Sequence, residues 1–247
     1  MIILKNKHQI ELMTEPCQIV KETLDYVEKH VKVGVTTKEL DSLAEDFIRS
    51  RGAVPSFKGY GGFPAAICAS PNEQVVHGIP NDKPLKEGDI ISIDIGAYKR
   101  GYHGDAARTF AVGKISADKQ RLIDVTRESF FEGIKDLKVG DRIGDISARV
   151  QKYAEQNGYS VVRELVGHGV GRSLHEDPQV PNYGVAGTGE LIESGLVIAI
   201  EPMINMGNKE VEFGNDGWTC KTLDKKPSAH YENTIVITDE GVKILTL

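Results

Sequence analysis

Ile90-Ile91-Ser92-Ile93-Asp94 and Val197-Ile198-Ala199-Ile200-Glu201 are matching apolar runs, each closed by an acid. Each follows a glycine, Gly88 or Gly195, and each carries its carboxylate six positions after it. A short apolar run bounded by a turn reads as a buried strand. A charge at the end of such a strand is costly to desolvate unless a cation or partner compensates. Two equivalent acids on two equivalent strands predict a duplicated half-fold with its chemistry at the seam.

Outward from these runs the plan repeats. Ile10, Met13, Cys17, Val20, Leu24, Val27 and Val31 recur at helical spacing, with Gly34 as a stop. Pro16 lies inside this pattern and predicts a kink, or a helix restarting behind Thr14. Thr36-Thr37-Lys38-Glu39 reads as a capping box opening a second helix that ends near Gly52. Residues 54–84, rich in glycine, proline and aromatics, read as loop with short strands. The strand ending at Asp94, a turn-rich stretch from Gly96 to Gly104, and a strand through Arg108–Val112 read as a β-hairpin.

Helices from about Ser116 to Leu137 and Ile143 to Asn157 then precede the strand ending at Glu201 and another beginning at Glu232. Helix, helix, loop, strand, strand thus occurs twice. No linker composition separates the copies, so residues 1–247 read as one domain with pseudo-symmetric halves, about 1–113 and 114–247.

Asp105, in His103-Gly104-Asp105, and Glu232, in His230-Tyr231-Glu232, each precede a mostly apolar strand. Asp94, Asp105, Glu201 and Glu232 would therefore converge where the two hairpins face each other. Four clustered carboxylates repel at neutral pH, and divalent cations offset that repulsion. A first-row transition metal favours an imidazole among its ligands. His168, in Gly167-His168-Gly169-Val170-Gly171-Arg172, is the candidate, because flanking glycines admit a close backbone or substrate. His77 sits in a similar His-Gly-aliphatic setting, and His175 lies seven residues beyond His168. A single strand-end Asp is more often a turn former, and a lone His beside glycine is usually a satisfied loop residue. Their joint occurrence, in matching halves, argues against accident.

The composition sets outer bounds. Forty per cent hydrophobic and 27% charged residues suit an ordinary globular chain, and a net charge of −6 without a basic run weakens a nucleic-acid role. Cys17, Cys68 and Cys220 form no zinc or disulfide framework, as expected of a reducing compartment. No signal peptide is legible, and no apolar run approaches the ~20 residues of a membrane span. A cytoplasmic protein is expected.

His-Gly-Asp, Gly-His-Gly-Val-Gly-Arg, Leu-His-Glu-Asp-Pro, Ile-Glu-Pro-Met and Tyr-Glu-Asn-Thr-Ile-Val-Ile-Thr together resemble the type I methionine aminopeptidases. The resemblance runs from the first helix to about Gly241. It implies an α+β, pita-bread fold in which two pseudo-symmetric halves enclose a dinuclear metal site. Asp94, Asp105, His168, Glu201 and Glu232 become the ligands of two divalent ions: cobalt, manganese, iron(II) or zinc. Metal-bridging hydroxide would attack the first peptide bond, with Glu201 as ligand and proton carrier. His175 would donate to the oxyanion, and His77 would contact the scissile amide. Phe57, Tyr60, Phe63, Cys68 and Trp218 would border the pocket for the methionine side chain. Ordinary core packing is an equal reading for Phe57 and Phe63.

The implied activity is removal of initiator methionine when the second residue is small. Its partners would be nascent-chain N-termini bearing a free amine, with the ribosome a further candidate, no DNA, no membrane, and a monomeric state. The resemblance is to the compact bacterial form, without the zinc-binding extension of eukaryotic type I enzymes or the type II insertion. Phe57 stands where a small residue or cysteine is common, Gly61 where histidine is common, and Leu174 where phenylalanine is common. These departures affect pocket shape rather than metal chemistry. Proline aminopeptidase shares the metal core but usually carries a large extra N-terminal domain, for which the residues before Asp94 are too few. A non-catalytic pita-bread module that binds peptides or histones typically loses ligands, and here none is lost.

Overall fold

The computed structural model describes residues 1–247. Helix α1, Lys7–Glu28, opens on a capping box in which the Asn6 side chain accepts from the Gln9 backbone and the Gln9 side chain returns the bond. It runs continuously through Pro16, contrary to the expected break. Pro16 is itself buried on the face formed by Met13, Cys17, Val20 and Leu24, and the packing of that face outweighs the ~3 kcal/mol cost of an interior proline. Helix α2, Thr37–Ser50, has the capping box read between Thr36 and Glu39. Helices α3, Ala117–Ile134, and α4, Ile143–Gln156, lie where the periodicity puts them.

The first hairpin is longer and tighter than the sequence suggested. Ile90–Lys99 pairs with Tyr102–Ala111 along its whole length, and only Arg100 and Gly101 form the turn. Both have positive φ, 52° and 83°, as a two-residue hairpin requires. Asp94 therefore lies in mid-strand rather than at a strand end, and Asp105 lies within the partner strand, opposite Gly96. Ile67–Pro71 and Val54–Pro55 extend this sheet on the other side of Ile90–Lys99.

The second large sheet orders Gly241–Ile244, Asn233–Thr238, Leu196–Ile200, Gly167–Gly169 and Glu176–Val180, again antiparallel. Here the expectation holds closely. Glu201 follows one strand and Glu232 precedes the other, one step beyond the pair Ile200–Asn233. One apolar core joins α1 and α2 to the first sheet through residues such as Leu24, Leu40, Ile93 and Ile95. Another joins α3 and α4 to the second through Phe130, Ile146, Ile198 and Ile235.

The two sheets are stitched at the seam. Glu232 N–H donates to Ala107 O at 2.9 Å, and Ala107 N–H donates back to Glu232 O at 3.3 Å. The Asp105 N–H donates to Thr234 Oγ1, whose hydroxyl donates to Asp105 O at 2.8 Å. These bonds hold an acid of each hairpin against the other. No helix is long and apolar enough to cross a membrane.

Candidate metal centre

All twelve residues singled out in the sequence line one cavity of about 190 Å³. At its floor lie Asp94, Asp105, His168, Glu201 and Glu232. His168 Nε2 is 3.7 Å from Asp105 Oδ2 and 3.8 Å from Glu201 Oε1. Its Nδ1–H donates to Gly169 O at 2.8 Å, which leaves the Nε2 lone pair facing the acids. The flanking glycines serve the neighbouring backbone. A Cβ on Gly167 would lie 2.4 Å from Ala199 O, and one on Gly169 would lie 2.2 Å from Asp177 O.

Three buried carboxylate oxygens, Asp94 Oδ1, Asp105 Oδ1 and Glu232 Oε1, have no hydrogen-bond partner in the protein. Buried oxygens left this way are expensive unless cations satisfy them. Asp105, His168 and Glu232 present one donor atom each within 4.8 Å of one another, as do Asp94, His230 and Glu232. Hard oxygen donors with imidazole nitrogen suit a divalent first-row ion.

Residues 11–239 match the profile of metallopeptidase family M24. Over 247 residues, covering all of this chain and 99% of the relative, the sequence is 54% identical to methionine aminopeptidase of Clostridium perfringens. It is 52% identical over 246 residues to methionine aminopeptidase 1 of Bacillus subtilis, covering 100% of this chain and 99% of that one. The chain belongs to the methionine aminopeptidases of family M24.

The crystal structure of methionine aminopeptidase from Rickettsia prowazekii has the same fold, with a TM-score of 0.99 at 44% identity and full coverage of both chains. The prolidase from Pyrococcus furiosus shares the fold alone, with a TM-score of 0.82 at 24% identity; the chain spans 65% of its length. The expected pita-bread architecture is thus the observed one, and the methionine aminopeptidase family fixes a metallo-exopeptidase that works with divalent metal.

Above the floor the wall divides by chemistry. Phe57, Phe63, Cys68 and Leu174 are buried in one apolar cluster, with Trp218 packed edge-on to Phe63. Two departures from the family pattern, Phe57 and Leu174, therefore sit in the wall itself. The third, Gly61, borders it, since a Cβ there would lie 3.3 Å from Trp218. Cys68 is the strand partner of Asp94, and burial together with that charge pushes its thiol well above the usual range. It packs and does not attack.

The His175 ring packs against that of His168, tilted by 59° with ring centres 4.1 Å apart, and its Nδ1 lies 2.8 Å from the Tyr60 hydroxyl. His77 adopts φ 59°, a left-handed backbone unusual outside glycine, so its position is enforced by its surroundings. Burial, with His175 nearby, lowers its pKa to about 4. Val76, Leu165 and Val166 also line the cavity and were missed, because one aliphatic ending a three-residue strand and two in a loop carry no periodic signal. His230, buried behind that lining beside Glu201 and Glu232, was missed as well.

Burial dominates the electrostatics of the acids. It raises Asp94 to about 7, with a hydrogen bond to Asp105 pulling the other way. Asp105, Glu201 and Glu232 are raised well above the carboxylate range, first by burial and then by one another's charges and that of Asp94. A carboxylate raised in the folded state binds protons there that the unfolded chain has released, so stability falls as pH rises. Metal-free protein is thus expected to lose melting temperature from about pH 4, where unfolded acids ionise, to above pH 7, where folded Asp94 has ionised. Saturating manganese should flatten that fall. Scanning calorimetry from pH 5 to 8 with chelator and with metal checks it; parallel curves would contradict the assignment of these acids to the metal.

Proposed function

We propose that this chain removes the initiator methionine from nascent polypeptides, using two divalent ions, when the second residue is small. One observation carries the reading: a cluster of orphaned buried carboxylates floors an apolar cavity walled by aromatic rings, sulfur and leucine. A thioether packs well on such a wall. The unbranched methionine side chain suits about 190 Å³, and the acids beneath would meet its amine and first carbonyl.

Asp94, Asp105, His168, Glu201 and Glu232 would hold the ions. When bound, these supply a readily deprotonated water and polarise the scissile carbonyl. Glu201 would take the proton of the attacking water and return it to the leaving amine. The Asn182 amide, donating to Glu201 O at 2.9 Å, holds its backbone still. Were the Tyr60 hydroxyl, 2.8 Å from His175 Nδ1, the donor of that bond, the ring would carry its proton on Nε2 and could donate it to the developing oxyanion. Neutral His77 would contact the scissile amide from the facing side.

The metal would be cobalt, manganese, iron(II) or zinc, as supply dictates. Residues 1–247 would act as one cytoplasmic, monomeric domain of two halves, about 1–113 and 114–247, meeting N-termini of nascent chains, with the ribosome as a further partner.

Metal-stripped protein is expected to leave Met-Ala-Ser intact and to release methionine once manganese is added. Met-Leu-Ser should be cleaved far more slowly. Absence of release with any of the four metals, from protein that remains folded and binds them, would replace the enzyme with a peptide-binding module.

A further inference from the structure

His230 is buried beside two of the five proposed ligands, Glu201 and Glu232, and the five-ligand set gives it no role. It is 1% exposed, yet neither ring nitrogen has a hydrogen-bond partner. Its Nε2 lies 3.8 Å from Glu201 Oε2 and 3.7 Å from Glu232 Oε2, beyond hydrogen-bond reach. Those separations fit another relation. Donors bound to one ion at about 2.0–2.2 Å lie within about 4.4 Å of each other. His168, an assigned ligand, stands in the same relation to its own acids, at 3.7 Å and 3.8 Å.

The arrangement is paired. Glu201 turns Oε1 toward His168 and Oε2 toward His230. Glu232 is common to both three-residue clusters, one holding Asp105 with His168 and the other Asp94 with His230. Each cluster thus offers one imidazole, one private aspartate and a shared glutamate.

The backbone that carries the ring is held in place. The main-chain N–H of His230 donates to Thr109 Oγ1 and its main-chain carbonyl accepts from the same hydroxyl, both at 2.9 Å, while the residue pairs with Met203 across the strand. A neutral imidazole keeps a lone pair on one ring nitrogen, and neither ring nitrogen of His230 is engaged by a protein partner.

We propose that His230 is a sixth protein ligand, giving the ion shared by Asp94 and Glu232 a nitrogen donor of its own. The proposal rests on the two-ion reading above and extends it to a site with one imidazole per ion. It would make the second ion softer in preference than an all-oxygen site, favouring zinc, cobalt or iron(II) over manganese there.

The test is X-ray absorption on the whole protein loaded with zinc, counting imidazoles per metal from their multiple scattering, with zinc stoichiometry measured on the same sample. Two zinc ions with one imidazole each is the expected result. Two ions sharing a single imidazole would overturn the proposal while leaving the two-ion reading intact. One ion with two imidazoles would sustain His230 and overturn the two-ion count, and one ion with one imidazole would overturn both. His230→Gln, which can hydrogen-bond but cannot replace an imidazole donor, should weaken one zinc equivalent by at least about 10–100-fold in calorimetry and leave the other. Unchanged affinity for both would show His230 to be a packing residue. Should the variant misfold, the count on the unaltered chain still decides.

Discussion

Glu201→Gln is expected to lower kcat for methionine release from Met-Ala-Ser by at least about 10²–10⁴-fold, the usual worth of a positioned general base. The substitution keeps the shape of the side chain and removes its charge and basicity. It also removes one of four acids that burial and mutual repulsion press toward the protonated state. The metal-free variant should therefore melt no lower than the parent, which separates lost chemistry from lost fold. Glu201 lies near both histidines of the floor, so weaker metal binding is expected as well. The measurement is kcat at saturating manganese with metal content verified. Retention of more than a tenth of the parent value by fully loaded variant would assign the base to another group.

Lys5→Met should have the largest effect on stability, about 3–5 kcal/mol, the range for breaking a buried ion pair by removing one partner. Lys5 Nζ donates to Glu176 Oε2 at 2.5 Å and to Ile3 O at 2.7 Å, with both charged side chains nearly inaccessible to solvent. Methionine keeps the length and leaves Glu176 charged and unpaired. For a chain of this size the loss corresponds to roughly 6–20 °C in melting temperature. Glu176 follows His175 directly and accepts the Ser173 N–H, so it organises the loop carrying the proposed oxyanion donor. Lys5 N–H also donates to Gly195 O, at the foot of the strand that ends at Glu201. Lys5→Met at a permissive temperature should accordingly lower kcat more than it raises KM. Lys5→Met with Glu176→Gln should recover much of the stability, because no buried charge remains. Equal melting of the single and double variants would show that the pair adds no more than its methylenes.

Local chemistry made much of this legible in the chain. The capping box at Thr36, the period of α1 and the apolar runs before Asp94 and Glu201 each carry a signal within a few residues. So do the glycines around His168, whose use follows from the absence of a Cβ. Four of the five proposed ligands were readable because acids beside apolar strands are rare enough to be informative together, and the fifth, His168, through its flanking glycines.

Other features depend on atoms far apart in sequence. Asp94 was read as a strand end because a carboxylate inside a buried strand is costly by itself. The strand continues to Lys99 because a hydrogen bond with Asp105 on the partner strand lowers that cost, and the ions that Glu232 would help to hold from across the seam would offset more of it. Pro16 was read as a break because the backbone penalty is local, whereas the packing that overrides it comes from the hairpin beneath α1. A Cβ on Gly104 of that hairpin would lie 2.7 Å from the Cys17 backbone. His230 gave no separate signal in His-Tyr-Glu, since its meaning is a distance to Glu201.

The sequence by itself therefore determined the elements, their duplication and the residue types available for chemistry, because these rest on periodicity, capping and desolvation within short windows. Only the tertiary structure decided which nitrogens face which oxygens, which charges are buried in pairs, and which glycines hold helix to sheet. Those outcomes depend on through-space separations of a few ångströms between residues as distant in sequence as Lys5 and Glu176.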